Sequence, residues 1–583
     1  MLKAIKKFFF HFSHFILLLL TFYLVEYILF NNIGHRISLK FWRFDSASHL
    51  FGAILFISPF FLLNLKRKNY LIISLLIFTY FCLGSVLYFR TYQQLIPLES
   101  FFYLSNFDGL SGSIFSSFKI IDALFLIPFI LLLTINWIFK YISSDIVIHF
   151  RVFLFVLYFL ISIFTFKLFW NKDFTRIFFR QGSSNPFYYD QFYTAKYHGI
   201  LPLWLWQIFN SNSINLSKEN IKYYQKLLIN TEFSPAELSI ASDSTPNIIL
   251  IMVESLDSWV LELKYNEKEI TPNINKLIKQ PGTLLVPYII SQTMGGRSSD
   301  SQLIINTGLL PLKVGAASFK SFNNEFLSFP KALKYKGYNS AIFCGGTLSF
   351  WNYYPFAKAQ GFEKIIAIDD YDYNKNDVLG FGLKDSIFFA QTSVMLKSLK
   401  QPFYAQLITL SSHAPFVLKD DMVATDFCSD NTICNYLKAI NYVDRAIGLF
   451  IENIITAGLY ENTVIIITGD HIGNSIKSVS AFLSESENID LKYSEHLNTI
   501  PLIILNSKKN KQYFEKYNQI DIYTTLLDLF SVDYYWYGFG KSVIENPDNN
   551  IDFNKFYDRI SNMRKHHISD SLIRGNFFKH LDL

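Results

Sequence analysis

The sequence predicts two folding units: an α-helical membrane domain of five spans, followed by an α/β domain with a mainly parallel central sheet. Three observations carry that expectation. The apolar residues gather at the front in five long stretches nearly free of charge. After residue 246, short apolar runs alternate with helical patterns. At 583 residues, the chain is also too long for one ordinary core. Composition agrees, with 51% hydrophobic and only 17% charged residues, against roughly 25% charged in soluble domains. Sixty-one Phe and 35 Tyr exclude a disordered chain. Four Cys exclude a disulfide scaffold or a Cys-rich zinc module. The net charge of +6 is small, and the longest basic run is Lys66-Arg67-Lys68, so nucleic acid is not an expected partner.

The five stretches are residues 8–30, 47–65, 70–89, 120–139 and 147–170. Each is long enough, at about 1.5 Å per residue, to cross a hydrocarbon layer roughly 30 Å thick. A cleaved signal peptide accounts for one such stretch but not five. Glu26 inside the first is costly in lipid, which points to a helix neighbour or an interface. Lys3, Lys6 and Lys7, then Lys66, Arg67 and Lys68, then Lys140 fall on one side of an alternating path. The expectation is a cytoplasmic N-terminus and an extracytoplasmic tail after Trp170. Arg36, Lys40 and Arg43 lie on the opposite side and run against it. The expected segments are a membrane domain at 1–171, a juxtamembrane helical linker at 172–246, a catalytic domain at 247–545 and a C-terminal tail at 546–583. Lys218, Lys222 and Lys226 stand at helical spacing in the linker and read as a solvated face.

Beyond the linker, strands are expected at 247–253, 284–290, 340–343, 403–410, 463–468 and 500–505. Helices are expected at 271–279, 298–310, 328–336, 433–456 and 521–530. Continuous apolar runs alternating with helices predict strands buried on both faces, as in a parallel sheet.

Ligands of such sheets gather at the carboxyl ends of the strands. Three of these ends carry reactive groups: Glu254 with Ser255, Asp470 with His471, and Ser411-Ser412-His413. Glu, Asp and His together offer hard oxygen and imidazole ligands suited to Zn²⁺ or Mn²⁺. A nucleophile is expected in the loop Ser291-Gln-Thr-Met-Gly-Gly-Arg-Ser298-Ser-Asp-Ser-Gln302. Its glycines allow close backbone approach, and Ser298 would open a helix whose N–H groups favour a phosphate and an alkoxide. No GxxxxGK[ST] loop is present, so no nucleotide is expected. Several residues read as structural instead. Phe350 and Trp351 would pack under the sheet edge, Tyr534–Tyr537 would be an aromatic core cluster, and Asp444 with Arg445 would be an exposed ion pair.

At these residues the chain resembles membrane-anchored enzymes of the alkaline phosphatase/sulfatase superfamily, above all lipoteichoic acid synthases and related phosphoglycerol transferases. The matching landmarks run in order: Val253-Glu-Ser255, Thr271-Pro-Asn-Ile-Asn-Lys-Leu277, Gln292-Thr-x-x-Gly-x-Ser298-Ser-Asp300, Phe350-Trp-Asn352, Gly382-Leu-Lys-Asp385, Thr409–Phe416 and Gly469-Asp-His-x-Gly473. The resemblance implies that Glu254, Asp470 and His471 hold one divalent metal, Mn²⁺ or Zn²⁺ with Mg²⁺ as a further candidate. Ser298 would be fourth ligand and nucleophile. It implies substrate contacts from His413 and His496. The donor would be a membrane phospholipid and the acceptor a glycan or glycolipid. The family nucleophile is usually Thr, which Ser replaces with equivalent chemistry. The synthases carry an Arg just after Trp-Asn, where this chain has Tyr353, so another group must neutralise the phosphate; Arg297 is the candidate, with a plain surface residue as the alternative reading of it.

Sulfatases need a C/S-x-P-x-R frame, and Ser298-Ser-Asp-Ser-Gln302 has neither the Pro nor the Arg. Phosphoethanolamine transferases, the alternative within the enzyme class, typically carry several disulfides and a Cys beside the nucleophile. Here Cys428 and Cys434 are the two placed to pair. A transporter is disfavoured because the spans show no repeated pattern or paired charges. An inactive scaffold is disfavoured by the intact Glu254, Ser298, Asp470 and His471 set.

Overall fold

The computed structural model describes residues 2–33, 67–92, 117–140, 199–210, 214–229, 245–544 and 556–581, with gaps of one or two residues at 425–426, 429–430, 487–488, 494 and 508–509, and a few isolated positions besides. The chain divides into two compact units, residues 1–102 with 117–212, and residues 103–116 with 213–583.

In the first unit, α1 (Leu2–Asn32), α2 (Arg67–Tyr92), a 3-10 segment (Ile120–Leu126) continued by α3 (Ile127–Lys140), and α4 (Ile200–Asn210) follow in order. Five spans are not what the described residues establish. Residues 71–90 of α2 form the one described helix long and apolar enough to cross a membrane. The fourth expected span begins instead as seven residues of 3-10 helix. The expected spans at 47–65 and 147–170 lie outside the described residues. Two charges inside the apolar stretches find partners, as burial requires. Glu26 is buried and accepts from the backbone N–H of Ile200, at the open N-terminus of α4, at 2.9 Å. Asp122 takes both guanidinium nitrogens of Arg90 at 2.7 Å.

The second unit opens with α5 (Lys218–Ile229), which carries the lysine stripe. A nine-stranded mixed sheet follows. Its strands are β1 (Asn247–Val253), β2 (Leu284–Ile290), β3 (Asn339–Cys344), β4 (Lys364–Ile366), β5 (Phe403–Ile408), β6 (Thr463–Gly469), β7 (Thr499–Leu505), β8 (Lys511–Gln512) and β9 (Tyr517–Asn518). The spatial order is β8-β2-β7-β6-β1-β5-β3-β4, with β9 also pairing with β2. The pairs β6–β1–β5–β3–β4 are all parallel, and β7 alone runs against both of its neighbours, β6 and β2.

All seven residues of β1 are buried, because both faces are covered. Ile249, Ile251 and Val253 pack into one core with α6 (Pro272–Ile278), α9 (Asp385–Lys397) and α10 (Thr432–Thr456). Ile248, Leu250 and Met252 pack into the other, with α7 (Arg297–Thr307), α8 (Phe329–Tyr335), α11 (Asp521–Leu529) and α12 (Phe556–Arg574). Each such side chain contributes roughly 1.5–3 kcal/mol on burial.

Three local expectations change. Asp444 is no exposed ion-pair partner: it is fully buried in α10 and accepts from Asn273 N (3.0 Å), Asn273 Nδ2 (2.8 Å) and Ile274 N (2.7 Å). It caps α6, whose own N-cap Thr271 makes no side-chain cap. Gly448 permits this approach, since a Cβ there would lie 2.5 Å from Asn273 Oδ1. The C-terminal residues, given no role from sequence, place Leu572, Ile573, Phe577 and Phe578 in the second core. The Tyr534–Tyr537 cluster splits, with Trp536 buried and Tyr535 exposed. Cys428 and Cys434 form a disulfide. Truncating Leu572 to Ala is expected to cost about 2–5 kcal/mol. It should appear as a lower midpoint in thermal unfolding of the detergent-solubilised protein.

Candidate active site

The sheet register builds the site. β1 and β6 are adjacent and parallel, with Val253 opposite Gly469. The residues that follow, Glu254 and Asp470, are therefore set side by side at the carboxyl end. Gly469 is required for this: a Cβ there would sit 2.3 Å from the Leu256 carbonyl oxygen. The chain then turns sharply at Ser255, which holds a left-handed φ of 56°. Ser255 N donates to Asp470 Oδ1 at 2.8 Å, and its hydroxyl donates to Glu254 Oε1 at 2.7 Å.

Ser298 reaches the same point from α7, as its second residue. Its hydroxyl donates to Glu254 Oε2 at 3.1 Å and lies 3.4 Å from His471 Nε2. His471 Nε2 is 3.5 Å from Glu254 Oε1 and 3.5 Å from Asp470 Oδ2. The other ring nitrogen, Nδ1, lies 3.2 Å from the Ile472 carbonyl oxygen. A carbonyl only accepts, so Nδ1 carries the proton and Nε2 presents its lone pair to the group. Among the described residues, Glu254, Asp470 and His471 are the set whose potential ligand atoms all lie within 4.8 Å of one another.

The electrostatics of this cluster are unfavourable as they stand. Burial, then the neighbouring charge of Asp470, pushes Glu254 well above the usual carboxylate range. Burial pushes His471 down to about 4, so its imidazole is neutral at neutral pH. Asp470 Oδ2 is buried without a hydrogen-bond partner. A divalent cation fits each of these features. It would hold both carboxylates in their charged form, use the Nε2 lone pair and occupy the orphaned oxygen. Two carboxylates, one imidazole and one hydroxyl form a donor set for Zn²⁺ or Mn²⁺.

The surrounding residues hold this geometry. Glu254 N donates to Thr409 Oγ1 at 2.9 Å, and Ser412 Oγ donates to the Glu254 carbonyl at 2.6 Å. That loop is fixed in turn by Asp385, which accepts from Leu410 N (2.9 Å) and Ser411 N (3.1 Å). It carries His413, half-buried against the Phe381 ring, with Nδ1 donating to the Ala414 carbonyl at 2.7 Å. Burial pushes His413 down to about 4 as well. Asp300 accepts from Met294 N and Gly296 N at 2.8 and 2.9 Å, which folds the loop ahead of Ser298. Asp257 accepts from Gly473 N at 2.8 Å and Trp259 Nε1 at 3.1 Å, closing the turn after His471.

Arg297 is 8% exposed rather than a surface residue. Its charge favours the ionised forms of Glu254 and Asp300 and disfavours protonation of His413 and His471. The structure does not bring His496 into the ligand group. Its ring packs on Tyr288 with centroids 4.8 Å apart, and its Nε2 is 3.4 Å from Glu495 Oε1. Tyr353 is buried with its hydroxyl lacking a hydrogen-bond partner. Phe350 and Trp351 are half-buried, and Phe350 stacks on Phe381, the ring beside His413.

Gln519, unremarked in the sequence, is the main brace. Its Nε2 donates to the Asp470 carbonyl at 2.7 Å and to Ser301 Oγ at 2.8 Å, and its Oε1 accepts from Gln292 N at 2.9 Å. One buried amide thus ties the strand end that carries Asp470 and His471 to the helix that carries Ser298 and to the loop before it. No short-range pattern marks such a residue.

Residues 246–532 match the family described as Sulfatase, and residues 1–218 match the Lipoteichoic acid synthase N-terminal domain. The chain belongs to the lipoteichoic acid synthase family, within the alkaline phosphatase/sulfatase superfamily. Among synthases of this family, it is 34% identical to lipoteichoic acid synthase 2 of Bacillus subtilis over 294 residues, covering 49% of this chain and 45% of that protein. It therefore spans less than half the length of that relative. With lipoteichoic acid synthase of Staphylococcus aureus it shares 29% identity over 490 residues, 80% of this chain and 73% of that one. The crystal structure of the synthase LtaP from Listeria monocytogenes superposes with a TM-score of 0.52 at 19% identity, over 61% of this chain and 98% of that chain. That likeness shows a shared fold.

Two outcomes follow from this geometry. Binding of Mn²⁺ or Zn²⁺ should release protons from Glu254, the carboxyl that burial and the Asp470 charge hold above the usual range, and not from the already neutral His471. Calorimetry in buffers of different ionisation enthalpy measures this, and apparent affinity should rise with pH. Gln519→Leu should lower metal content by elemental analysis and activity by about tenfold or more, with little change in secondary structure.

Proposed function

We propose that the chain is a membrane-embedded, metal-dependent transferase with its second unit outside the cytoplasm. It moves a glycerophosphate headgroup from a membrane phospholipid, most simply phosphatidylglycerol, to a hydroxyl of a glycan or glycolipid. The observation that carries this reading is the Ser298 hydroxyl, held at a helix N-terminus and hydrogen-bonded into the buried Glu254, Asp470 and His471 group. The synthases to which the chain is related support it, and the basic residues of the first unit support the orientation.

Glu254, Asp470, His471 and Ser298 would hold one Mn²⁺, Zn²⁺ or Mg²⁺ ion, which supplies charge neutralisation and makes the serine hydroxyl easier to ionise. Ser298 Oγ attacks the donor phosphorus, and its proton leaves along the hydrogen bond to Glu254 Oε2. The new Oγ–P bond forms as the P–O bond to the diacylglycerol oxygen breaks. That oxygen takes up the proton that the serine gave up, which returns Glu254 to its carboxylate form, and diacylglycerol remains in the bilayer. In the second half, an acceptor hydroxyl attacks the same phosphorus, the Oγ–P bond breaks, and the acceptor's proton restores the serine hydroxyl. The N–H groups at the start of α7 face the negative charge that develops on the phosphoryl oxygens.

Arg297 supplies the fixed positive charge that Tyr353, neutral and buried, does not. His413, with its imidazole pushed down to about 4, is a weak base at neutral pH and serves as a hydrogen-bonding contact for substrate. His496 is a more distant contact on the Tyr288 side.

Purified protein incubated with headgroup-labelled phosphatidylglycerol or phosphatidylethanolamine should gain a glycerophosphate adduct on Ser298 from the first lipid alone, read by peptide mass spectrometry. Ser298→Ala should abolish the adduct and reduce diacylglycerol release by about 10³-fold or more. A phosphoethanolamine adduct would transfer the proposal to the other headgroup. Full activity in Ser298→Ala would overturn the mechanism.

A further inference from the structure

Helix α7 is made mostly of polar residues, yet it is buried along its whole length apart from Ser298. Only Leu303, Ile304 and Ile305 of its residues are apolar. Apolar contact is non-directional and gives a helix little reason to stop at one height rather than another. Hydrogen bonds between side chains do specify height, because they weaken steeply once distance and angle are lost. The partners of the polar residues on α7 therefore decide where its first turn, and Ser298 with it, comes to rest.

Gln302 and Asn306 continue the stripe that Ser298 begins, since residues four apart share a helix face. Asn306 lies about 12 Å along the axis from Ser298. It is fully buried, and both ends of its amide are engaged. Its Nδ2 donates to Gln360 Oε1 at 2.8 Å and to Gln406 Oε1 at 2.9 Å. Its Oδ1 accepts from the Tyr404 hydroxyl at 3.2 Å. Gln302 Nε2 donates to the same Gln360 oxygen at 3.4 Å.

These partners lead to the strand that carries Glu254. Gln406 and Tyr404 belong to β5, which lies beside β1 with Gln406 opposite Leu250. Gln406 Nε2 also donates to the sulfur of Met252, two residues before Glu254. Four neutral polar side chains, each at 0% exposure, thus join the foot of α7 to the middle of the sheet. Apolar residues of the same shape would fill such a space at no loss of stability, so stability alone does not call for this cluster.

We propose that Asn306, through Gln406 and Tyr404, is a positioning residue for Ser298. Its three bonds set how far α7 advances toward the strand ends, and so where Ser298 Oγ meets Glu254 Oε2. The inference rests on the role proposed for Ser298 above. A misplacement of about 1 Å at a reacting atom costs as much as about 10²-fold in rate. The part played by Gln519 is different, because that amide also holds the Asp470 carbonyl. The bonds of Asn306 reach none of Glu254, Asp470 and His471, so its loss should shift the nucleophile and leave the ion in place.

The test compares two variants of the full chain in detergent. Asn306→Leu leaves the polar groups of Gln406 and Tyr404 buried without this partner, and its thermal midpoint should fall. Combining Asn306→Leu with Gln406→Leu and Tyr404→Phe removes the three groups together, and the midpoint should return. In both, the adduct on Ser298 should form from phosphatidylglycerol about tenfold or more slowly in a single turnover. The KM for the lipid and the metal content by elemental analysis should stay as in the parent. Backbone amides of residues 301–305 should exchange hydrogen faster in both. A triple variant that regains the parent rate along with its stability shows a structural role only and overturns the proposal. Parent rate in Asn306→Leu, or metal lost together with rate, also overturns it. If the parent chain forms no adduct with the lipid, the transfer reading fails by itself and hydrogen exchange in the triple variant decides. Faster exchange in α7 then supports the positioning role, and exchange at the parent rate overturns it.

Discussion

The second unit is organised around the cost of burying two carboxylates side by side. Glu254 and Asp470 stand at adjacent strand ends with almost no access to water. Like charges that close, in a medium of low effective dielectric, repel by several kcal/mol. A chain that gained nothing from this arrangement would lose the pair by drift. Here the surroundings do the reverse and enforce it. Gly469 removes the side chain that would push the strand ends apart, Ser255 accepts a strained turn, and backbone amides from Ser255 and His471 hold one oxygen of Asp470. The second oxygen is left exposed to the site and to nothing else.

The bracing has a common form. The candidate site residues are positioned through hydrogen bonds to backbone, most of them from residues distant in sequence and one, Asp300, from the next turn. Thr409 and Ser412 hold Glu254, Asp385 holds the His413 loop, Asp300 holds the loop ahead of Ser298, and Gln519 joins three of these parts. Backbone groups cannot swing between rotamers, so such bonds fix a site more rigidly than side-chain pairs would. A serine oxygen and an imidazole nitrogen meeting at 3.4 Å from separate elements reflects that rigidity.

Much of this was legible in the chain itself. Six apolar runs became six strands within a few residues of their expected ends, because burial on both faces writes a signal that local turns cannot disguise. The meeting of Glu254, Asp470, His471 and Ser298 at one point was legible because strand ends and a helix start of one sheet converge. The reversed direction of β7 was not, since an apolar run looks the same in either orientation. Neither was Asp444. A carboxylate beside an arginine on a helix suggests an ion pair, and only the packing of α6 against α10 turns it inward as a cap. Gln519 and the interior role of residues 568–578 were hidden for the same reason, as both depend on contacts hundreds of residues away.

The place of α12 in the second core has a temporal consequence. Leu572, Ile573 and Phe577 complete a layer that begins with Ile248, more than 300 residues earlier in the order of synthesis. The polypeptide emerges from the ribosome from one end to the other. Until that last helix appears, one side of the sheet is missing a wall and the half-made domain exposes oily surface. Folding of the second unit therefore waits on residues 556–578 and is not completed while the strands that precede them are being made.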